Sequence, residues 1–139
     1  MNRKLERKLY RKFKFLRAVN PFTLKEFNWC TSLDMNDGWY KLIRDLCKEL
    51  KKYFKAHKEV LETFYVTQAK EKYGGLRFYI SASTTEVFNI IHKYENKSYK
   101  ICEICGKPGQ LNGRGWHQTL CEKHRIERGY PLTEEEEES

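Results

Sequence analysis

The sequence predicts an α+β fold in which helices pack on a small antiparallel sheet. Apolar residues recur every three or four positions over residues 39–57, which is the period of an amphipathic helix. From residue 62 the period changes to two, which is the period of a half-buried strand. A helix, a hairpin and a further helix in this order are typical of the α+β class.

Length and charge limit the function classes to consider. The chain has 139 residues, which is enough for one domain with a buried core. Its net charge of +8 becomes +13 when the five glutamates at 134–138 are left out. A basic surplus of this size favours acidic partners, above all nucleic acid. The sequence has no apolar run of membrane length and no signal peptide, which predicts a cytoplasmic protein without a membrane partner.

Residues 3–18 predict a basic amphipathic helix. Four apolar residues share one side at helical spacing, namely Leu5, Leu9, Phe13 and Leu16. Cations surround this side, and the candidate nucleic-acid contacts among them are Arg3, Lys4, Arg7, Lys8, Arg11 and Lys12. Such a row of cations can bind phosphates. The alternative is a helix that docks on the core and leaves a solvated basic face.

Two further helices are predicted after this one. Pro21 ends the first helix, because the residue before a proline is pushed out of the helical region. Thr23 and Glu26 form a capping-box pattern, which predicts a short helix. The main core helix is predicted over residues 39–57, with one apolar face. Two cysteines without paired spacing are interpreted as core residues, Cys30 and Cys47.

A β-hairpin is predicted over residues 63–72 and 76–81, joined at Gly74 and Gly75. With that loop Tyr73 lies opposite Leu76, and the core face carries Tyr65, Tyr73, Leu76, Phe78 and Ile80. The opposite face then carries a basic and aromatic cluster, Lys70, Lys72, Arg77 and Tyr79. Such a cluster can bind phosphates and stack a base, although lysines on the solvated face of a sheet usually have no specific partner.

The region between the hairpin and residue 101 predicts a helix and a short strand. Ser83 and Glu86 repeat the capping-box pattern before an apolar stripe, so a helix is predicted over residues 84–96. His92 lies off that stripe and is predicted to be exposed. Residues 98–101 are predicted to form a short strand.

The last part of the chain carries the strongest signal, two pairs of metal-ligand residues. Cys102 and Cys105 are separated by two residues, and Cys121 and His124 repeat that spacing. Three thiolates and one imidazole make the tetrahedral set of a structural zinc site, which has no open position for a reacting water. His117 is the alternative to His124 as the fourth ligand.

Around these ligands the sequence predicts a knuckle, a hairpin and a helix, an order that resembles the treble-clef class of zinc fingers. Gly106 permits the left-handed backbone of a tight turn. Asn112 and Gly113 form a turn dipeptide, and Gly129 is predicted to cap a helix over residues 122–128. The predicted divisions are a basic helix at 1–19, an α+β core at 20–98, a zinc-binding module at 99–130 and a disordered acidic tail at 131–139.

Three motifs within residues 38–124 occur together in this chain. They are Lys70-Glu-Lys-Tyr-Gly-Gly-Leu-Arg-Phe-Tyr79, then Cys102-Glu-Ile-Cys-Gly-Lys-Pro-Gly109, then Gly115-Trp116 before Thr119-Leu-Cys-Glu-Lys-His124. In this combination the chain resembles a group of small proteins encoded by bacteriophages and some bacteria. The resemblance implies a phage or prophage origin, with the host cytoplasm as the location, and no particular mechanism.

We expect a binding protein rather than an enzyme. The sequence has no phosphate loop, nucleophile elbow or dinucleotide motif. His117 and Asn112 suggest a comparison with nucleases of the His-Asn-His type. Those enzymes need a separate metal-binding histidine or acid on the helix, and here His124 is already assigned to zinc. The leading hypothesis is a zinc-stabilised protein that binds DNA or structured RNA, with the ribosome as one candidate partner. The alternative is an inhibitor or adaptor that binds a host protein, such as a defence or transcription factor, through aromatic anchors at Tyr99, Trp116 and Tyr130.

Overall fold

The computed structural model describes residues 1–16, 33–113 and 116–130, and it confirms the α+β class. The helices of this part are α1 (Arg3–Lys12), α2 (Tyr40–Ala56), α3 (Lys58–Glu62), α4 (Thr85–Ser98) and α5 (Glu122–Glu127). The strands are β1 (Leu33–Asp34), β2 (Val66–Lys72), β3 (Gly75–Ile80), β4 (Gln110–Asn112) and β5 (Gln118–Leu120). The predicted short helix after Thr23, the interpretation of Cys30 and the acidic tail lie outside the described residues.

α1 is shorter than the helix predicted over residues 3–18. It ends because the backbone of Phe13 leaves the helical region, with φ −125° and ψ 87°. A 3₁₀ turn, Lys14–Leu16, then returns the chain to the core. Of the four residues predicted for the apolar side, Leu9, Phe13 and Leu16 are buried and Leu5 is half-buried.

The core lies between α1, α2, α4 and one face of the three-stranded sheet. α2 differs from its predicted bounds by one residue at each end, and its apolar face is buried as the period predicted. The largest side chains without accessible surface at this helix are Trp39, Ile43, Leu46 and Leu50. Cys47 lies among them, which confirms its interpretation as a core residue.

The sheet has the order β1-β2-β3, with β1 parallel to β2 and β2 antiparallel to β3. The predicted hairpin is present, but its predicted loop and register are wrong. The loop is Tyr73 and Gly74, both with positive φ, as in a type I′ turn. Lys72 therefore lies opposite Gly75, and Tyr73 is 64% exposed instead of lying on the core face. Gly75 belongs to the strand because it packs against Tyr99, whose ring any Cβ at Gly75 would overlap.

Most residues of the hairpin keep their predicted faces in spite of this error, but Tyr73 does not, and at the start of β2 the core residue is Val66 where Tyr65 was predicted. Over residues 68–72 the observed register differs from the predicted one by two residues, and only a shift by an odd number would exchange the faces. The register is irregular between Val66 and Gln68. Leu76 and Phe78 are accordingly buried in the core. Lys70 lies directly opposite Arg77 on the other face, where Tyr79 is 41% exposed.

α4 covers the outer edge of β3 with side-chain acceptors. The Leu76 N–H donates to Ser98 Oγ at 2.9 Å, and the Phe78 N–H donates to Glu95 Oε2 at 3.0 Å. These contacts satisfy backbone donors that an open sheet edge would leave unpaired. Because α4 continues to Ser98, the predicted strand over residues 98–101 is wrong, and only Ile101 forms a bridge, with Pro108.

Candidate metal centre

A tight turn positions the first pair of ligands, Cys102 and Cys105. The Cys102 N–H donates to Lys107 O at 2.8 Å, and the Gly106 N–H donates to Cys102 O at 2.9 Å. Gly106 has φ +80°, a backbone conformation that glycine adopts without steric cost. The turn therefore aims both thiols toward the same point, as the spacing predicted.

The start of α5 positions the second pair. Cys121 directly follows β5 and is the N-cap of α5, and His124 lies in the first turn of that helix. The Cys121 Sγ and the His124 Nδ1 are 3.1 Å apart. α5 ends with Arg128 as its C-cap and Gly129 at φ +71°, close to the predicted end.

These two pairs meet at one point. One ligand atom from each of Cys102, Cys105, Cys121 and His124 lies within 4.8 Å of the other three. The Cys105 and Cys121 sulfurs are 3.7 Å apart, and the Cys102 sulfur lies 3.6 Å from His124 Nδ1. A tetrahedral ion with metal–sulfur bonds of about 2.3 Å requires sulfur–sulfur distances of about 3.8 Å. The cluster can therefore hold a metal ion, and its fourth member is His124, whereas His117 lies outside it.

The electrostatics of the cluster suit a cation. Burial raises the pKa of the Cys102 thiol, but backbone N–H donors at Cys121, Cys105 and Ile104 outweigh burial and lower the pKa below its ordinary value. Burial and the neighbouring thiols raise the pKa of Cys105. Thiols this close resist simultaneous ionisation, and a bound cation removes that conflict because it deprotonates the thiols that coordinate it.

The turn that carries Cys102 and Cys105 packs against the 3₁₀ turn Asp37–Trp39, which directly precedes α2. The Gly38 N–H donates to Glu103 O at 2.7 Å, and the Trp39 Nε1–H donates to Ile101 O at 2.9 Å. A Cβ at Gly38 would overlap the carbonyl oxygens of Cys102 and Glu103. The turn that carries Cys102 and Cys105 is thus joined by a backbone hydrogen bond to the 3₁₀ turn Asp37–Trp39, which leads directly into α2.

Glu103 is a structural residue of the site that the sequence did not indicate. It is only 3% exposed although it lies between two ligands. Its Oε2 accepts the Asn36 N–H at 3.0 Å, and its Oε1 accepts the Gln118 side-chain amide at 3.3 Å. Its charge, after burial itself, raises the pKa of Glu71. A glutamate inside a ligand pair resembles any exposed residue of a turn, so no local pattern could have identified this role.

β4 and β5 form the predicted second hairpin, and this hairpin packs on the tip of the first. The Thr119 hydroxyl donates to Gly74 O at 2.6 Å, and Leu111 lies against the same glycine. Asn112 pairs with Gln118 at the end of the ladder, so the connection is longer than the predicted tight Asn-Gly turn.

The candidate nucleic-acid contacts fall into two groups. All six cations of α1 are exposed, Arg3, Lys4, Arg7, Lys8, Arg11 and Lys12. On the hairpin, Lys72 is exposed and Lys70 is half-buried beside Asp34 of β1. Arg77 donates to the Tyr99 hydroxyl at 3.1 Å, and that hydrogen bond is the first cause of its raised pKa. The cations of α1 are therefore more accessible to a binding partner than those of the hairpin.

Among the described residues, none of the helices is both long and apolar enough to cross a membrane. Comparison of the chain with protein-family models, with curated proteins and with solved structures found no match. The resemblance to small phage proteins therefore stays a prediction.

Proposed function

We propose that this is a non-enzymatic, zinc-stabilised protein that binds nucleic acid. The basic surface that binds it is formed by α1, the C-terminal half of α2 and the first residue of α3. We define the basic surface as Arg3, Lys4, Arg7, Lys8, Arg11, Lys12, Lys51, Lys55 and Lys58. The observation that carries the proposal is that these cations are exposed on neighbouring elements.

Zinc is proposed as the metal because of the ligand types. Three thiolates and an imidazole in a tetrahedral set are the usual ligands of structural zinc, whereas calcium and magnesium prefer oxygen ligands. Four protein ligands leave no coordination position for water, so the ion would stabilise the fold and take no part in a reaction. Elemental analysis of the purified protein should find about one zinc per chain.

The two halves of the basic surface converge at Phe13. The Lys12 ammonium of α1 and the Lys51 ammonium of α2 lie 5.7 and 5.9 Å from the centre of that ring. Lys51 and Lys55 are one turn apart on α2, a rise of about 6 Å. Cations in rows at this spacing can contact successive phosphates of a backbone. The hairpin residues Lys70, Lys72, Arg77 and Tyr79 are proposed as secondary contacts.

A salt titration of binding tests the proposal. Fluorescence anisotropy with a short labelled oligonucleotide should show binding at low salt that weakens linearly with the logarithm of the salt concentration. Lys8→Glu should weaken binding and reduce the slope by roughly one phosphate contact. Lys100→Glu, an exposed lysine outside the basic surface, is the matched control and should have a smaller effect. Absence of binding at low salt would reject the proposal.

An exposed tryptophan favours a second candidate function, binding to a protein. Trp116, in the connection between β4 and β5, is 77% exposed, and tryptophan is enriched among the residues that dominate binding energy at interfaces. A pull-down from nuclease-treated lysate separates the two candidates, because a protein partner survives the digestion. Capture that Trp116→Ala abolishes would support this second function.

A further inference from the structure

A cavity of about 1140 Å³ opens between the end of α1, the C-terminal half of α2 and the segment from α3 to β2. It lies apart from the metal centre, and none of the four ligands lines it. Pockets for small ligands typically measure about 300–1000 Å³, so this cavity has room for more than one small planar group.

The floor of the cavity is aromatic. The rings of Phe15, Phe54 and Phe64 pack against one another, with centres 4.8 to 5.7 Å apart. Phe54 and Phe64 are buried beneath, whereas Phe15 is half-buried and presents ring surface to the cavity. Leu61 stands at the mouth and is 39% exposed. The floor therefore offers apolar and aromatic contact area.

The rim of the cavity is cationic. Six basic side chains line it, Arg11, Lys12, Lys14, Lys51, Lys55 and Lys58. Glu62 is the one acidic residue among the lining residues. An aromatic floor and a cationic rim thus occur on one concave surface, which also forms part of the basic surface.

We infer that this cavity takes unpaired bases of a single-stranded nucleic acid while the rim lysines hold the flanking phosphates. The inference rests on the proposed function and narrows it. Proteins that bind single strands combine a positive groove with aromatic side chains on which bases stack. A duplex keeps its bases paired inside and offers mainly phosphates to such a surface. A duplex could therefore use the rim but not the floor.

The inference predicts selectivity that charge alone does not produce. In anisotropy competition, an oligothymidylate should bind more tightly than a duplex or an abasic strand of the same length. Base stacking on one aromatic ring corresponds to a gain of about fivefold to a hundredfold in affinity. The abasic strand is the sharper comparison, because it keeps the backbone phosphates and lacks only the bases.

Phe15→Leu tests the aromatic contact, since leucine keeps an apolar side chain and removes the ring. The variant should lose most of the preference for oligothymidylate over the abasic strand, while its affinity for the abasic strand stays unchanged. A merely structural role of Phe15 would weaken both strands together. Phe88→Leu, a half-buried phenylalanine on α4 outside the cavity, is the matched control and should keep the preference.

Each other outcome overturns a defined part of the account. Equal affinity for oligothymidylate and the abasic strand would overturn the inference and leave the proposed function standing. An unchanged preference in Phe15→Leu would also overturn the inference. Displacement of the oligonucleotide by palmitate, but not by hexadecanol, would assign the cavity to an anionic amphiphile instead. Absence of binding to every strand at low salt would reject the proposed function itself.

Discussion

The helix–sheet core and the region of residues 101–130, which contains the candidate metal centre, differ in the polarity of their buried side chains. The core is filled by apolar side chains from α1, α2, α4 and the three-stranded sheet. In the described part of 101–130, the buried apolar residues are Cys102 and Leu120. The buried polar residues there are Glu103, Asn112, Gln118, Thr119 and Arg125. One region is held by apolar burial, whereas the other has mainly hydrogen bonds and a cluster of four residues that can hold a metal ion.

This difference follows from how much apolar surface each segment has to bury. A segment of this length with so few buried apolar residues cannot offset its conformational entropy by burial alone. A structural metal supplies the missing stabilisation in small modules of this kind. The hydrogen bond from Gly38 to Glu103 joins the two regions. Loss of a metal from the cluster should therefore also destabilise the residues at the start of α2.

Metal removal should have the largest effect on stability, and that effect should be confined mainly to residues 101–130. A strong chelator, or Cys121→Ser, should unfold residues 101–130 and leave most of the core folded, because zinc contributes on the order of 10 kcal/mol to small zinc modules. Hydrogen exchange by mass spectrometry would show lost protection in 101–130 and retained protection in α2 and α4. Cys47→Ser is the matched control, since Cys47 lies in the core and should not change the zinc content. Unchanged protection of 101–130 after metal removal would contradict the account.

Truncation of a buried core side chain should have the next largest effect on the free energy of unfolding. Leu46→Ala removes a side chain with no accessible surface and should lower the free energy of unfolding by about 2–5 kcal/mol. Leu61→Ala changes a side chain that is 39% exposed and should lower the free energy of unfolding by only about 0.5 kcal/mol. Urea denaturation followed by circular dichroism measures both. Zinc content should stay the same in both variants, and equal destabilisation of the two would argue against an apolar core at α2.

A hydrogen bond between the regions should have the smallest effect. Thr119→Val removes the donor to the carbonyl oxygen of Gly74, a buried residue, and should lower the free energy of unfolding by about 1–3 kcal/mol. Thr85→Val makes the same chemical change at an exposed position and should cost less than about 0.5 kcal/mol. Thermal unfolding of the two variants under one buffer measures the difference. Indistinguishable midpoints would show that this contact does not hold the hairpins together.

Local patterns in the sequence predicted the parts of the molecule that local chemistry determines. The spacing of Cys102, Cys105, Cys121 and His124 was sufficient for the ligand set, because a turn and a helix start place such pairs whatever surrounds them. The helical period of α2 and the alternation of β3 were sufficient to predict which residues of these elements face the core.

Features that depend on distant contacts could not be predicted in this way. The loop of the first hairpin is displaced by one residue, and Gly75 instead lies in β3, where the ring of the distant Tyr99 leaves no room for a side chain. Glu103 is buried because its partners are Asn36 and Gln118 on other elements. The cavity above Phe15 lies where α1 ends at Lys12 and where the backbone of His57 leaves the helical region between α2 and α3.

The coordination of the metal is the most direct test of the account. X-ray absorption at the zinc edge of the purified protein should give three sulfur ligands at about 2.3 Å and one nitrogen ligand at about 2.0 Å. That result would match the cluster of Cys102, Cys105, Cys121 and His124. Protein without zinc, or a shell that contains a water oxygen in place of one of these ligands, would contradict a closed structural site.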